Sequence, residues 1–274
     1  MTDQESTLHE LMRKRQACAE ILRGLGRVVV AFSAGVDSTL LVALAAEVLG
    51  TANMLAATGV SPSLAKRELE EARRLAKHLG VELVEVPTGE MDDSRYVANP
   101  ADRCYYCKAD LFRRLAEVAR QRGCDAVVSG ANADDAGDYR PGLRAGGECG
   151  VRNPLMDAGL TKDEIRALSR LMGLPTWDKP AMACLASRIP YGERITADRL
   201  GRVEAAESFL KDAGFTACRV RDYDALARIE VPTASLPALL AARDGVTAAF
   251  KALGYIYVTM DLEGLRSGSL NQVL

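Results

Sequence analysis

Histidine is almost missing from this chain: His9 and His78 are the only two in 274 residues. The C-x-x-C spacing occurs once and has no second copy, so the four ligands of a structural zinc site are not there. No apolar run reaches the roughly 18 residues that a membrane-spanning helix needs. The opening stretch, MTDQESTLHELMRKRQ, is polar and has no signal-peptide core. These absences predict a cytoplasmic protein with no membrane partner. An excess of charge of one sign is lacking too. The formal net charge is −2, which leaves no global pull toward nucleic acid. No internal repeat or low-complexity segment stands out. Cysteine, by contrast, is present seven times. An odd count argues against a disulfide framework and leaves metal ligation, catalysis or plain burial.

What is present fits a globular protein, with 48% hydrophobic and 26% charged residues. The length suits one large domain or two smaller ones. RVVVAF (27–32) is a β-branched run of the kind buried on both faces of a sheet. NMLAAT (53–58), VELVEV (81–86) and DAVVSG (125–130) read as further strands. TLLVALAAEVLG reads as a helix ending at Gly50. SPSLAKRELEEARRLAKHLG reads as another, with Pro62 near its start and Gly80 at its end, and 107–122 as a third. Residues 5–23 form an amphipathic helix with Leu8, Leu11, Met12, Ile21 and Leu22 on one side. Alternating strands and helices imply βαβ units and a parallel sheet with ligands beyond the strands' carboxyl ends. The Gly-, Asp- and Pro-rich stretch 131–150 is expected to be a loop. TKDEIRALSRLMG (161–173) is a helix opened by a capping box of Thr161 and Glu164.

Beyond about residue 185 the pattern changes. A helix over 196–213 precedes CRVRDY and LARIEV, two short alternating segments. SLPALLAARDGVTAAFKALG then reads as helical and YIYVTMD as a strand. The predicted fold class is α/β. A Rossmann-like parallel sheet with helices on both faces occupies 1–182, a small α+β domain occupies 183–262, and 263–274 is a tail.

SAGVDS (33–38) lies between the first strand and the helix that follows it. Small residues let the backbone pass close to an anion, and the positive end of a helix dipole receives phosphate oxygens. Ser33 and Ser38 add hydroxyl donors, Gly35 and Val36 lie in the turn, and Asp37 suits Mg²⁺ or the orientation of neighbouring donors. The loop is neither a Walker A motif nor G-x-G-x-x-G. The bland alternative is an ordinary strand-to-helix turn. The stretch resembles the S-G-G-x-D-S loop of the PP-loop ATP pyrophosphatase superfamily. Those enzymes have an adenine nucleotide alpha hydrolase-like fold. They cleave ATP between the α and β phosphates and adenylylate a carboxylate or a carbonyl oxygen. Ala34 stands where Gly is usual. Left-handed backbone costs alanine roughly 1 kcal/mol or more, so Ala34 is predicted to have negative φ. A positive φ there would count against the loop.

RCYYCK (103–108) sets Cys104 and Cys107 at C-x-x-C spacing. Thioredoxin-like chemistry needs a different βαβ context. Two inert, packed thiols remain one reading and an iron–sulfur cluster the other, since three cysteines can hold [4Fe–4S] with one iron open. Cys184, in PAMACLASRIPYG, is the candidate third. A thiolate beside Arg188 would have a lowered pKa and be reactive, although a cysteine in such a setting is commonly just packed. The sequence assigns no role to Cys18, Cys124, Cys149 or Cys218.

WDKPAMACLASRIPYGERIT, GANADDAGDYRPG and YVTMDLEGLRSGSLNQVL together resemble the LarE family, and the similarity covers nearly the whole chain. Members are ATP-dependent sacrificial sulfur transferases that help build the nickel-pincer nucleotide cofactor of lactate racemase. In some, the cysteine matching Cys184 gives up its sulfur and is left as dehydroalanine. Others carry three cysteines and hold a [4Fe–4S] cluster that binds an extra sulfide. Cys104, Cys107 and Cys184 match that second type. The resemblance implies that ATP and Mg²⁺ serve to adenylylate a pyridinium dicarboxylate mononucleotide, which then becomes a thiocarboxylate. It also implies a homo-oligomer, a trimer or hexamer.

Further positions are expected to serve these ligands. Thr58, ending the second strand, is placed to meet the adenosine. Asn132, Asp134 and Asp135 follow a strand's carboxyl end and suit nucleotide or metal, unless turn chemistry alone explains them. Arg219 and Arg221 alternate on a strand and share one face, which suits a substrate phosphate or is merely solvated. Arg188 joins that substrate group, and Glu207 resembles a family acidic position near it. Trp177, the single tryptophan, is expected at the domain junction. Three rivals stand beside this reading. A PP-loop [4Fe–4S] tRNA thiolase would need a basic surface. An ammonia-using, amide-forming synthetase would not need the three cysteines. The third is a non-catalytic nucleotide-binding or metal-storage protein.

Overall fold

The structure, a computed structural model, describes residues 3–137, 141–180 and 183–266. The chain runs α1 (Asp3–Gly24), β1 (Val28–Ala31), α2 (Val36–Leu49), β2 (Met54–Val60), α3 (Lys66–His78), β3 (Leu83–Pro87), α4 (Ser94–Val97) and α5 (Arg103–Gln121). It continues through β4 (Ala126–Val128), α6 (Pro141–Glu148), α7 (Pro154–Asp157), α8 (Lys162–Leu171) and α9 (Ala197–Asp212). β5 (Arg219–Tyr223), β6 (Leu226–Glu230), α10 (Leu236–Ala241), α11 (Arg243–Ala252) and β7 (Tyr257–Met260) complete it. Two compact units result. One holds 3–61, Lys66–Gly89 and 104–180; the other holds Pro62–Ala65, Glu90–Arg103 and 183–266.

The first unit is built on a parallel sheet of order β3-β2-β1-β4. β1, β2 and β4 are almost wholly apolar because both their faces are covered, whereas β3 carries the exposed Glu85, paired with Arg73. Val28, Val30, Met54 and Ala56 pack with Leu40 and Leu44 of α2, Leu75 of α3 and Ile165 of α8. Val29, Leu55, Ala57 and Val127 turn the other way, onto Phe112, Leu115 and Ala119 of α5. The strands read from the sequence are all present.

Several details differ from expectation. On α1 the buried positions are Leu11, Cys18, Ala19 and Leu22, whereas Leu8 and Met12 are exposed. The helix expected to begin near Pro62 begins at Lys66, because 62–65 serves the other unit. The expected loop 131–150 contains α6. Pro141 presets the φ of its first turn, and a Cβ on Gly146 would sit 3.3 Å from the Phe112 ring, so glycine lets α6 lie close on α5. Residues 138–140 of that stretch lie outside the described residues.

The second unit carries a three-stranded sheet, β5-β6-β7, with β5 antiparallel and β7 parallel to β6. Its core joins Ala206 and Leu210 of α9 to Val220, Ala227, Ile229, Leu239, Val246 and Phe250. Thr196 caps α9 by accepting the Arg199 N–H. The stretch read as helical over 235–254 is helical, as two helices divided at Ala242. A single cut at residue 183 leaves out the two earlier segments of this unit. They are stitched in by Leu185 N–H to Ser63 O, Gly192 N–H to Asn99 O and Ile195 N–H to Val97 O, each 2.9 Å. Of the predicted tail, residues from 267 onward lie outside the described residues. Among the described residues no helix is long and apolar enough to cross a membrane.

Candidate active site

In the first unit, β1 delivers the chain to a tight loop that starts α2. Ala34 has φ +56° and is fully buried, so the predicted negative φ is wrong. The left-handed turn that glycine supplies in the usual motif is kept by alanine. Its methyl group belongs to the core cluster, and its carbonyl accepts the Lys179 ammonium at 3.1 Å. Tertiary contacts therefore offset the local strain, and the objection to a phosphate loop falls with it.

Gly35 is the N-cap of α2 and provides no side-chain cap. The first N–H groups of a helix have no intrahelical acceptor, so those of Val36, Asp37 and Ser38 form an anion-receiving end. The Ser33 and Ser38 hydroxyls lie 3.1 Å apart, and Ser38 Oγ also donates to Gly35 O at 3.2 Å. Asp37 sits in the first turn. It accepts Asn132 Nδ2 at 3.2 Å and forms an ion pair with Lys162. A carboxylate so placed is a fitting oxygen ligand for Mg²⁺.

The other nucleotide positions divide. Asn132 reaches Asp37 and belongs with the loop. Asp134 instead accepts the Lys162 backbone N–H at 2.8 Å at the start of α8, and Asp135 accepts the Asn132 N–H at 3.0 Å. Both of these contacts are of the turn and cap kind. Thr58 is buried, and its hydroxyl donates to Phe32 O at 2.7 Å, tying β2 to the root of the loop. Trp177 lies under the Arg170 guanidinium at 5.0 Å.

In the second unit Arg188, Glu207, Arg219 and Arg221 lie near one another, and of these Arg188 reaches the Cys184 backbone. Arg188 and Glu207 form a buried two-pronged ion pair at 2.7 and 3.1 Å. Burial alone would push the Arg188 guanidinium down; the Glu207 charge beside it more than reverses this. Arg188 also donates to the carbonyls of Ala183 and Cys184, at 2.8 and 3.3 Å. Arg221 is likewise buried. It grips Glu230 at 2.9 and 2.8 Å and donates to Ser187 O at 2.8 Å. Arg219 differs. It is half-buried, donates to Arg266 O at 2.9 Å and forms no ion pair among the described residues. Burial, and then the charges of Arg188 and Arg221, push its guanidinium down.

The thiols sort by exposure. Cys18 is buried, and burial pushes its pKa up to about 12. Cys218 is buried on the Glu207 carbonyl. Cys124 and Cys149 are half-buried beside the α5 core, and burial raises the Cys124 thiol. Cys104 and Cys184 are exposed and Cys107 intermediate. Cys104 and Cys107 lie one turn apart at the start of α5. Three accessible thiols are the right donor chemistry for an iron–sulfur cluster. Among the described residues no three His, Cys, Asp or Glu side chains gather into a metal-holding group, and Cys184 belongs to the other unit.

Sequence reasoning missed Lys162, Lys179, Glu230 and Gly130. Lys162 and Lys179 find their partners far along the chain, with no local signal to mark them, and Glu230 pairs with Arg221 across the β5–β6 ladder. Gly130, just past β4, has a local reason. A Cβ there would lie 2.9 Å from Ser38 N, so only glycine lets α2 start beside β4.

The family model for asparagine synthase matches residues 13–137, which span the loop and the first sheet. Relatives cover far more. An uncharacterized protein of Synechocystis, slr1717, is 46% identical over 91% of this chain and 94% of its own. The pyridinium-3,5-bisthiocarboxylic acid mononucleotide synthase of Lactiplantibacillus plantarum is 39% identical over 96% of both chains. The NH(3)-dependent NAD(+) synthetase of Chlorobaculum tepidum is 28% identical over 59% of both.

Proposed function

Since the chain belongs to the LarE family, that of the L. plantarum synthase, we propose that it is an ATP-dependent sulfur transferase. Its substrate on this reading is a pyridinium dicarboxylate mononucleotide, and its product the thiocarboxylate. The observation that carries the reading is the near full-length similarity to that synthase; the anion-receiving start of α2 supports it.

A carboxylate resists substitution because oxide would have to leave. Adenylylation replaces oxide by AMP. The pyrophosphate portion of ATP is received by the N–H groups opening α2 and by the Ser33 and Ser38 hydroxyls. A substrate carboxylate oxygen attacks the α phosphorus, the bond to the β-phosphate oxygen breaks, and pyrophosphate departs. Sulfur then adds to the acyl carbon and AMP leaves. Asp37 is the residue that would hold Mg²⁺, which supplies charge neutralisation along the phosphates. Arg219, the one arginine of its group without an ion pair among the described residues, takes the substrate phosphate. Arg188, Glu207 and Arg221 keep the surrounding backbone, including the Cys184 carbonyl, in place.

Cys104, Cys107 and Cys184 are the residues that would hold a [4Fe–4S] cluster, which when bound supplies a labile sulfide as sulfur source. In the sacrificial alternative, Cys184 itself attacks the acyl-adenylate. Its Cβ–S bond then breaks as the Cα proton is lost, leaving dehydroalanine. Cytoplasmic location and a trimeric or hexameric assembly belong to this proposal through the family resemblance.

The test is incubation of the protein, purified without oxygen, with ATP, Mg²⁺ and the mononucleotide. Pyrophosphate release together with a sulfur-for-oxygen product is expected. Pyrophosphate formation that does not depend on the mononucleotide would sink the proposal. Mass spectrometry separates the routes: a loss of about 34 Da, one H₂S, at Cys184 marks sacrifice. Bound iron with Cys184 intact marks the cluster.

A further inference from the structure

Lys179 carries a charge into a poorly solvated place and spends it on three acceptors. Its ammonium lies 2.8 Å from Glu71 and 3.0 Å from Glu68, both on α3, and donates to the Ala34 carbonyl at 3.1 Å. Only 13% of the side chain is exposed. The two glutamates hold the ammonium still; the carbonyl is what it acts upon.

Ala34 is where such help is needed. The other non-glycine residues with positive φ among the described residues are Asn99 and Asp224. Asparagine and aspartate are the residue types that tolerate that region best; alanine has no such means. The Ala34 carbonyl also shares a planar trans peptide with the Gly35 N–H, and the two point in opposite directions. A donor that fixes the oxygen therefore fixes the direction of the N–H at the head of the anion-receiving turn.

We propose that Lys179 is a positioning residue for nucleotide binding. It holds the Ala34–Gly35 peptide so that left-handed Ala34 is retained and the Gly35 N–H stays aimed away from Lys179, toward the phosphate. The inference rests on the loop being the ATP site and adds a residue outside the loop motif.

The experiment is a double-mutant cycle read by direct binding of ATP with Mg²⁺ in a calorimeter. Lys179→Met is expected to weaken ATP binding about tenfold, the size of an uncompensated left-handed alanine. In an Ala34→Gly background the same change should cost less than about threefold, because glycine takes positive φ freely. Equal losses in both backgrounds would overturn the proposal, since they would mean direct phosphate contact or general damage. No loss in either would overturn it too. If Lys179→Met does not fold with its two glutamates unpaired, adding Glu68→Gln and Glu71→Gln removes that burden and permits the same comparison. Wild-type protein that does not bind ATP would sink the nucleotide reading as well. Wild-type binding with no rescue sinks this inference alone.

Discussion

Arg188 and Glu207 show what a single pair does in the second unit. Their side chains are 3% and 4% exposed. Removing two charges from water costs several kcal/mol per ion, offset only by good geometry and by extra hydrogen bonds. Both conditions hold. Glu207 Oε1 also accepts the Val220 N–H at 3.1 Å, and Arg188 reaches two carbonyls. Glu207→Ala would strand the guanidinium in a dry place. A destabilisation of about 3–5 kcal/mol is expected, seen as a lower urea midpoint. An Arg188→Met/Glu207→Leu variant should recover most of it. Loss in the double variant as large as in the single one would show that the pair itself, and not the stranded charge, sets the stability.

At the level of elements, the start of α2 is defined by its neighbours as much as by its own residues. A Cβ on Gly130 would lie 2.9 Å from Ser38 N and 3.1 Å from Asp37 C. Both are backbone atoms and cannot rotate away. Gly130→Ala should therefore push α2 off β4, cost about 1–3 kcal/mol and raise the KM for ATP. Gly147→Ala on α6 is the control. Nothing lies within 4 Å of a Cβ there, and alanine favours a helix by roughly 1 kcal/mol over glycine. Thermal unfolding of the two variants should move in opposite directions. A Gly130→Ala protein as stable as wild type would mean that the end of β4 yields.

For the molecule as a whole, the consequence is that the C-terminal unit is not continuous in sequence. Asn99 is buried and donates from Nδ2 to the carbonyls of Ile189, Pro190 and Glu193, at 3.3, 2.7 and 3.0 Å. Arg103 holds the Asn99 side-chain oxygen at 2.8 Å and lies over the Tyr191 ring. A fragment comprising 183–274 would lose these partners and leave buried carbonyls unpaired, each at about 1–3 kcal/mol. It is expected to unfold non-cooperatively in urea. Rescue by a peptide covering 90–103 would support the account, and a cooperative transition in the fragment alone would contradict it.

The sequence by itself determined what is written in periodicity and local capping. β1, β2 and β4 were legible because a strand buried on both faces must be almost wholly apolar. The Thr161–Glu164 box was legible because both partners lie within one turn, where the structure shows Thr161 accepting the Glu164 N–H. SAGVDS was legible as a strand-to-helix turn of small residues, and its resemblance to the PP-loop motif made it the proposed anion site. Tertiary structure decided the rest. Alternation put Arg219 and Arg221 on one face, but only burial and Glu230 made Arg221 a structural ion and left Arg219 without one. The left-handed Ala34 contradicted its local preference because a lysine 145 residues away bonds its carbonyl. A backbone penalty of one or two kcal/mol is readable in sequence; the distant contacts that outweigh it exist only once the chain has folded.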